Sequence, residues 1–492
     1  DADGEEIVAL VITTKDGRGN RIQISSTLMT VAYDTRPQIY GISIGGIDAT
    51  KTDKDTFYVK LPYGTDTKAL ATAFSTNSEI SVAGESGPES IDLSNPVKVT
   101  ATLNGVKRDY TLIAYYSNLP VVYVNTPAPV TSKDEWVKKS TIEIVNAGEY
   151  DAVYESAQLK GRGNSTWTYP KKPYAIKLDK KSEVLGMPKH KRWCLLANWM
   201  DRTNIRNDVS FEIGRRLPGL AWTPSGRFVD VVFNGKFVGN YYLCEQIKID
   251  SNRVNIDEMT DSDTSGDELT GGYLLELDTY FDEVNKFRSA QLNLPVNFKD
   301  PDEDVLQTKQ FEYMRDYFNA VEQKLINHAD YSEIESLIDI DSFIDWWILY
   351  ELAGNWEPNH PKSSYMYKKR NGKLYAGPAW DFDYATYTGS TGWYIKGAIW
   401  YKYLFKFPEF IIQVKERWQG NRVYLATIPD YIQSVSSDTK ASSVYDCQLW
   451  PISQNVNGDE QLSFQESADR LKQNYIKRFN WIDDNIEKLT AE

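Results

Sequence analysis

The sequence predicts two folding units of different class: an all-β sandwich over residues 1–117 and an α+β unit over residues 118–492. Three observations carry this. A chain of 492 residues is longer than one hydrophobic core organises. Its first quarter alternates short apolar and polar runs between Gly, Asp, Ser and Asn clusters, with little helical period. The remainder mixes strand-like runs with long segments whose apolar residues recur at helical spacing.

In the first unit the runs 7–12, 56–61 and 97–103 read as strands, at the spacing of a β-sandwich. Asn104-Gly105 marks a hairpin between 97–103 and 107–114, because a type I′ turn needs positive φ at both central residues. No catalytic constellation lies in this unit, so its expected role is a spacer.

In the second unit, 151–160 reads as a strand leading into Gly161-Arg162-Gly163-Asn164-Ser165-Thr166-Trp167, and 171–178 as the next strand. A glycine loop between strands lets backbone N–H groups approach phosphate, and a lysine on the following strand can neutralise its charge. Lys172 and Lys177 are the candidates, five residues apart on one strand and therefore on opposite faces. Residues 205, 209, 213 and 217 form the apolar stripe of a helix stopped by Pro218-Gly219. Glu212 lies off the stripe, free to orient a lysine or simply to pair along a solvated helix face. The segments 227–234 and 237–243 form a hairpin across Asn234-Gly235, and Glu245 ends its second strand.

Further on, 271–278 reads as a strand, 303–338 as largely helical and 341–353 as an apolar helix. Residues 468–489 form one amphipathic helix. The aromatic run 384–407 suits either core packing or a peptide or glycan partner. Asn355-Trp356-Glu357-Pro358-Asn359-His360 precedes Gly377-Pro378-Ala379-Trp380-Asp381-Phe382-Asp383, where two carboxylates one residue apart end an apolar run. Mg²⁺ takes one or two carboxylates plus phosphate oxygens, so Asp381 and Asp383 are candidate metal ligands, although a core strand with two outward acids has the same pattern. His360 reads as a surface loop residue and Asp345 as a helix cap or ion-pair partner.

Composition narrows the function. The hydrophobic content of 41% and charged content of 25% are those of a globular protein. A net charge of −14 opposes nucleic-acid binding, which needs a basic face. The aromatic content of 13% suits sugar-contacting clefts of an extracytoplasmic protein and equally a large core. No stretch of 18 apolar residues exists, so no transmembrane segment is expected. Cys194 and Cys244 sit in apolar runs and read as small buried hydrophobes, with a disulfide permitted but not required, and Cys447 stands apart. No Cys/His cluster suggests zinc. The acidic start Asp1-Ala2-Asp3-Gly4-Glu5-Glu6 reads as a trimmed N-terminus.

The order of glycine loop, strand lysine, acid-bearing helix, hairpin and exit acid is that of a protein-kinase N-terminal lobe, yet His-Arg-Asp and Asp-Phe-Gly are absent. Five ordered motifs, at 161–167, 171–178, 189–198, 201–207 and 380–383, together resemble the spore coat protein H (CotH) kinase family over about residues 118–490. Residues 95–113 resemble the last hairpin of bacterial immunoglobulin-like modules. The resemblance implies an immunoglobulin-like sandwich followed by an atypical protein-kinase-like domain that uses ATP and Mg²⁺ or Mn²⁺ to phosphorylate serine in a secreted or surface protein. It also implies export, with lipid anchoring before trimming as one form of attachment.

Carried over by motif, Asp381 binds metal with Asp383 as a second ligand. The Gly161, Arg162, Gly163, Asn164 and Ser165 loop covers phosphate, Lys177 or Lys172 neutralises it, Glu212 orients the lysine, and Glu245 opens the adenine-binding segment. Glu357 stands where the family has the aspartate taken as catalytic base. Its extra methylene moves the carboxylate by about 1 Å, a displacement that costs on the order of 10²-fold in a reaction governed by positioning. A kinase-like surface protein with weak or no turnover, binding nucleotide, peptide or glycan, is the alternative.

Overall fold

The computed structural model describes all residues except 1–4, 16–20, 33–35, 52–54, 62–64 and 492, with side chains described from residue 36 onward apart from a few positions. The chain divides into two compact units, Asp1–Ser117 and Asn118–Glu492.

The N-terminal unit is all-β among its described residues. A hairpin pairs Glu5–Lys15 with Arg21–Ala32. A four-stranded and a six-stranded sheet contribute Ile39, Ile42 and Ile44 from one side and Phe57, Val59, Val99 and Leu112 from the other to a single core. Asn104 and Gly105 take φ of 49° and 82°, so the hairpin turn is of the kind expected from their side chains.

The second unit opens with a barrel. Its strands are β1 (Val121–Asn125), β2 (Val137–Val145), β3 (Ala152–Gly161), β4 (Tyr174–Val184), β5 (Met187–Leu196), β6 (Gly226–Phe233) and β7 (Lys236–Glu245). They close in the order β1-β2-β3-β4-β5-β7-β6, the last junction being a parallel pairing of β1 with β6. Alternate residues such as Leu159, Ile176, Trp193, Leu195, Val231 and Leu243 fill the interior. Between β5 and β6 the chain forms α1 (Arg206–Arg215), whose Val209 and Ile213 enter a second core with Ile205 and Leu217.

That larger core belongs to a mixed lobe. Its sheet has the order β9-β10-β8-β11-β12, made of β8 (Tyr273–Leu277), β9 (Lys286–Arg288), β10 (Pro295–Asp300), β11 (Ser364–Lys368) and β12 (Leu374–Ala376). Around it pack α2 (Thr308–Ile326), α3 (Tyr331–Leu337), α4 (Ile340–Ala353), α5 (Tyr401–Leu404), α6 (Pro408–Leu425), α7 (Ile428–Leu449) and α8 (Phe464–Asn485). All but one residue of α4 are buried, as its near-continuous apolar sequence requires, and Gly354 ends it at φ 65°.

The strand expected at 171–178 starts only at Tyr174. Pro173 lacks an N–H to donate, so Lys171 and Lys172 remain in the preceding loop and do not share a strand with Lys177. The segment 303–338 divides into α2 and α3, and the C-terminal helix begins earlier, at Phe464 behind a Ser463–Glu466 capping box. No helix among the described residues is long and apolar enough to cross a membrane.

Candidate active site

A cleft of about 940 Å³ lies in the second unit, lined by residues of the barrel, of the five-stranded antiparallel sheet and of the loops that follow α4 and β12. The loop after β3 forms one wall. Gly161 lies against the Trp167 ring, where a Cβ would come within 2.6 Å of it, and Gly163 has φ +79° with the Thr166 hydroxyl filling the place of a side chain. Both glycines are therefore required by the fold of the loop itself. The loop is pinned rather than free: Asn164 Oδ1 accepts from Lys133 Nζ at 2.6 Å and Ser165 Oγ meets the Tyr280 hydroxyl.

The opposite wall carries the acids. Asp381 has φ 68°, a backbone conformation in which Asp is tolerated and most residues are strained. Three asparagines hold that turn. Asn207 of α1 accepts the Phe382 N–H at 2.7 Å, Asn457 donates to the Asp383 carbonyl at 2.8 Å, and Asn355 donates to the Asp381 carbonyl at 3.1 Å. Asn355 also accepts the Glu357 N–H at 3.0 Å, so one side chain ties the two acid-bearing segments together.

Within this frame the charge of Asp381 acts on the Asp383 carboxyl, and Asp381 Oδ2 accepts from Ser363 Oγ at 3.2 Å. Burial, followed by the charge of Asp381, pushes the Asp383 carboxyl well above the carboxylate range. Burial and the same neighbour raise Glu357 to about 9, against the opposing pull of Lys362. Asp278, at the exit of β8, is raised to about 6 by burial and Glu276 while accepting the N–H groups of Tyr280 and Ser363. Two buried carboxyl groups that feel each other's charge are stabilised by a proton or a cation. The donor set is oxygen alone, which suits a hard divalent ion. Among the described residues no group of three or more His, Cys, Asp and Glu is arranged to hold a metal by itself. A Mg²⁺ ion bound by two carboxylates takes its other ligands from water and phosphate.

The cleft thus brings together Gly161, Arg162, Gly163, Asn164, Ser165, Glu357, Asp381 and Asp383. The other four expected residues do not line it. Lys172 donates to the Trp167 carbonyl at 2.8 Å, and Glu212 forms ion pairs with Arg215 and Arg216, each at 2.9 Å. Glu245 accepts the Ser225 N–H at 2.9 Å and faces Arg253 at 3.8 Å, while its neighbours Gln246 and Ile247 reach the cleft. Lys177 pairs across β4 and β5 with Arg192, and it is Arg192 that lines the cleft.

The expected Arg162 places its guanidinium 5.2 Å from the Trp380 ring centroid. Two further cations of the cleft escaped the sequence reading: Lys160 and Arg192 lie 5.2 and 4.9 Å from the Trp136 ring. Lys171 also borders the cleft, but its Nζ is committed to Asp446 at 2.8 Å and to the Asn240 carbonyl. Asp278 had a readable signal: like Asp381, it is an acid at the end of a buried apolar run. His360 is exposed, and Asp345 is buried, accepting the Gly219 N–H and facing Arg417.

A β-barrel and a helical lobe around a cleft with a glycine loop on one side and clustered acids on the other define a kinase-like protein. The chain belongs to the CotH kinase family, whose model, described as CotH kinase protein, matches residues 159–482. No curated protein matches. Among solved structures, a proposed glycoside hydrolase from Bacteroides thetaiotaomicron VPI-5482 is similar at 17% identity and TM-score 0.17, over 33% of this chain and 52% of that one. A DUF4623 family protein from Bacteroides eggerthii DSM 20697 is similar at 11% identity and TM-score 0.15, over 32% and 49%. The chain spans about half the length of these two proteins, and scores this low carry no functional argument.

Proposed function

We propose that the second unit transfers the terminal phosphoryl group of ATP to a serine hydroxyl of a secreted or surface protein. The observation that carries this is the gathering of Glu357, Asp381 and Asp383 opposite the 161–165 loop in one cleft. Asp381 and Asp383 hold Mg²⁺ or Mn²⁺, which when bound neutralises phosphate charge. Glu357 lies in the same cleft as these two acids and accepts the proton of the acceptor hydroxyl. Arg162, Lys160 and Arg192 replace Lys177 and Lys172 as the cations that face phosphate, and the backbone after Glu245, at Gln246 and Ile247, takes the adenine-facing role. The N-terminal unit is an immunoglobulin-like spacer.

A second reading, a kinase-like surface protein of weak or no turnover, is favoured by the position of Trp356. This residue, next to Glu357, is 40% exposed and borders a separate pocket of about 430 Å³ with Trp393, Tyr394, Thr388, Ser390 and Thr391, a surface on which a peptide or glycan can stack. Elsewhere in the aromatic run Tyr387, Trp400, Tyr401, Phe405 and Phe407 are buried in the core.

Incubation of the purified chain with γ-labelled ATP, Mg²⁺ or Mn²⁺ and a serine-rich acceptor separates the readings. Label transfer abolished by both Asp381→Ala and Glu357→Gln supports the kinase. Nucleotide binding without transfer, lost only in Asp381→Ala, supports the second reading. Absence of nucleotide binding overturns both the metal and the phosphate roles.

A further inference from the structure

Cys194 on β5 and Cys244 on β7 are directly opposite in an antiparallel pair. Directly opposed residues in such a pair have Cα atoms about 4.5 or 5.5 Å apart, depending on which ladder position they occupy, and both separations fall within the range of about 4.4–6.8 Å that a disulfide spans. Side chains at opposed positions leave the sheet on the same face. Here that face is the outer one: Trp193, Leu195, Tyr241 and Leu243 point into the barrel, whereas Cys194, Leu196, Tyr242 and Cys244 enter the second core. The two thiols are fully buried. On its other side Cys244 faces Gly226, where a Cβ would come within 2.3 Å of the Tyr242 ring and 2.8 Å of the Cys244 Cβ, so the absence of a side chain there makes room for both. Two small hydrophobes filling a core have no need to stand directly opposite each other on one face of a sheet, and that register distinguishes this pair from ordinary buried cysteines.

We infer that Cys194 and Cys244 are a redox pair that closes to a disulfide across β5 and β7 when the chain folds in the presence of a small-molecule disulfide oxidant. In the reaction both S–H bonds break and one S–S bond forms. The two protons and two electrons pass to the oxidant, oxidised glutathione in the test below, which leaves as two thiols. Because both sulfurs are buried in the folded chain, the bond forms during folding or on local opening. It joins the strands that lead into Leu196 and Gln246 and so ties two sides of the cleft to each other. Cys447 takes no part: its thiol donates to the Arg202 carbonyl at 3.6 Å.

The full chain, denatured, reduced and refolded with oxidised or with reduced glutathione, is alkylated under denaturing conditions and mapped by peptide mass. The expected result is a linked 194–244 peptide, lower by two hydrogen atoms, with Cys447 alkylated, and its disappearance under reducing conditions. Alkylation of both Cys194 and Cys244 after oxidative refolding, or a bond from either to Cys447, overturns the inference. A second measurement is the thermal unfolding midpoint, expected to be higher in the oxidised chain and insensitive to redox state in Cys194→Ala. An equal redox-dependent shift in Cys194→Ala overturns the inference as well.

Discussion

Asn207 Oδ1 accepts the N–H of Phe382 at 2.7 Å, and its Nδ2 donates to Asn198 Oδ1 at 3.0 Å. Through these two bonds α1 holds the residue that separates Asp381 from Asp383, and thereby sets the angle at which two mutually repelling acids meet. Asn207→Ala leaves both acids in place and strands a buried N–H, at a cost of about 1–3 kcal/mol. The expected outcome is reduced stability in urea together with weaker Mn²⁺–ATP binding by calorimetry. A variant that loses stability and keeps its affinity shows that the acids do not depend on this tie.

The basic side chains of the cleft make a second test. Arg162→Ala and Arg192→Ala remove groups that line the cavity, whereas Lys172 is committed to the Trp167 carbonyl and Lys177 lies outside the lining. Nucleotide affinity is expected to fall in the two arginine variants and to change little in Lys172→Ala and Lys177→Ala. A selective loss in Lys177→Ala restores the strand lysine to the phosphate role.

Glu357→Asp shortens the side chain by one methylene within an otherwise intact frame, since Asn355 holds its backbone and not its carboxylate. If placement of the base limits the reaction, transfer rises, by up to about 10²-fold. Initial rates of label transfer at saturating ATP provide the measurement, and an unchanged rate assigns the limit to another step.

How far the sequence reached depended on the range of each interaction. Asn234-Gly235 has φ of 48° and 74°, the turn its side chains require, because such turns are decided within four residues. Asp381 and Asp383 could be read as candidates because they end an apolar run, whereas Glu357 was singled out only by the resemblance of its motif. The barrel was not, since its closure depends on Val121 pairing with Asp230, more than a hundred residues away. Glu212 lies on the expected helix and pairs with Arg215 and Arg216, three and four residues on, the local alternative its spacing allowed. Arg192 was missed because alternation along β5 gives its face but not which end of the face meets the cleft.

Glu351 in α4 and Arg478 in α8 form a buried ion pair that also organises the aromatic segment. The carboxylate accepts the N–H groups of Tyr394 and Ile395, each at 2.9 Å, and the guanidinium lies 4.6 Å from the Tyr394 ring centroid. Burial raises Glu351 to about 7 even with Arg478 beside it. Arg478→Met leaves an uncompensated acid in the core, and the expected loss is about 3–5 kcal/mol. Glu351→Gln keeps an acceptor and is expected to cost less. Chemical denaturation of the two variants gives the order, and the reverse order shows that the carboxylate's bonds to the backbone outweigh the charge.

His190 supplies the pH dependence. Its Nδ1 accepts the Arg192 N–H at 2.8 Å, which leaves the ring proton of the neutral form on Nε2, 3.9 Å from Asp250 Oδ2. Burial, and then the charge of Arg253, push its pKa from 6.5 down to about 4, while Asp250 acts in the opposite sense and Lys181 adds to the depression. Below pH 6.5 the unfolded chain takes up a proton that the folded chain refuses until about pH 4. This contribution to stability is therefore fully present above pH 6.5 and is lost as the pH falls toward 4. The difference between the two values corresponds to roughly 3 kcal/mol. His190→Asn retains an acceptor for the Arg192 N–H and has nothing to titrate, so urea midpoints of the two chains from pH 7 to pH 4 isolate the effect from that of the raised carboxyls elsewhere. The wild-type chain is expected to lose stability relative to the variant across this interval, and His190 to titrate near pH 4 by NMR. A parallel course of the two curves, or titration near 6.5 in the folded chain, shows that the imidazole is solvated enough to charge in place.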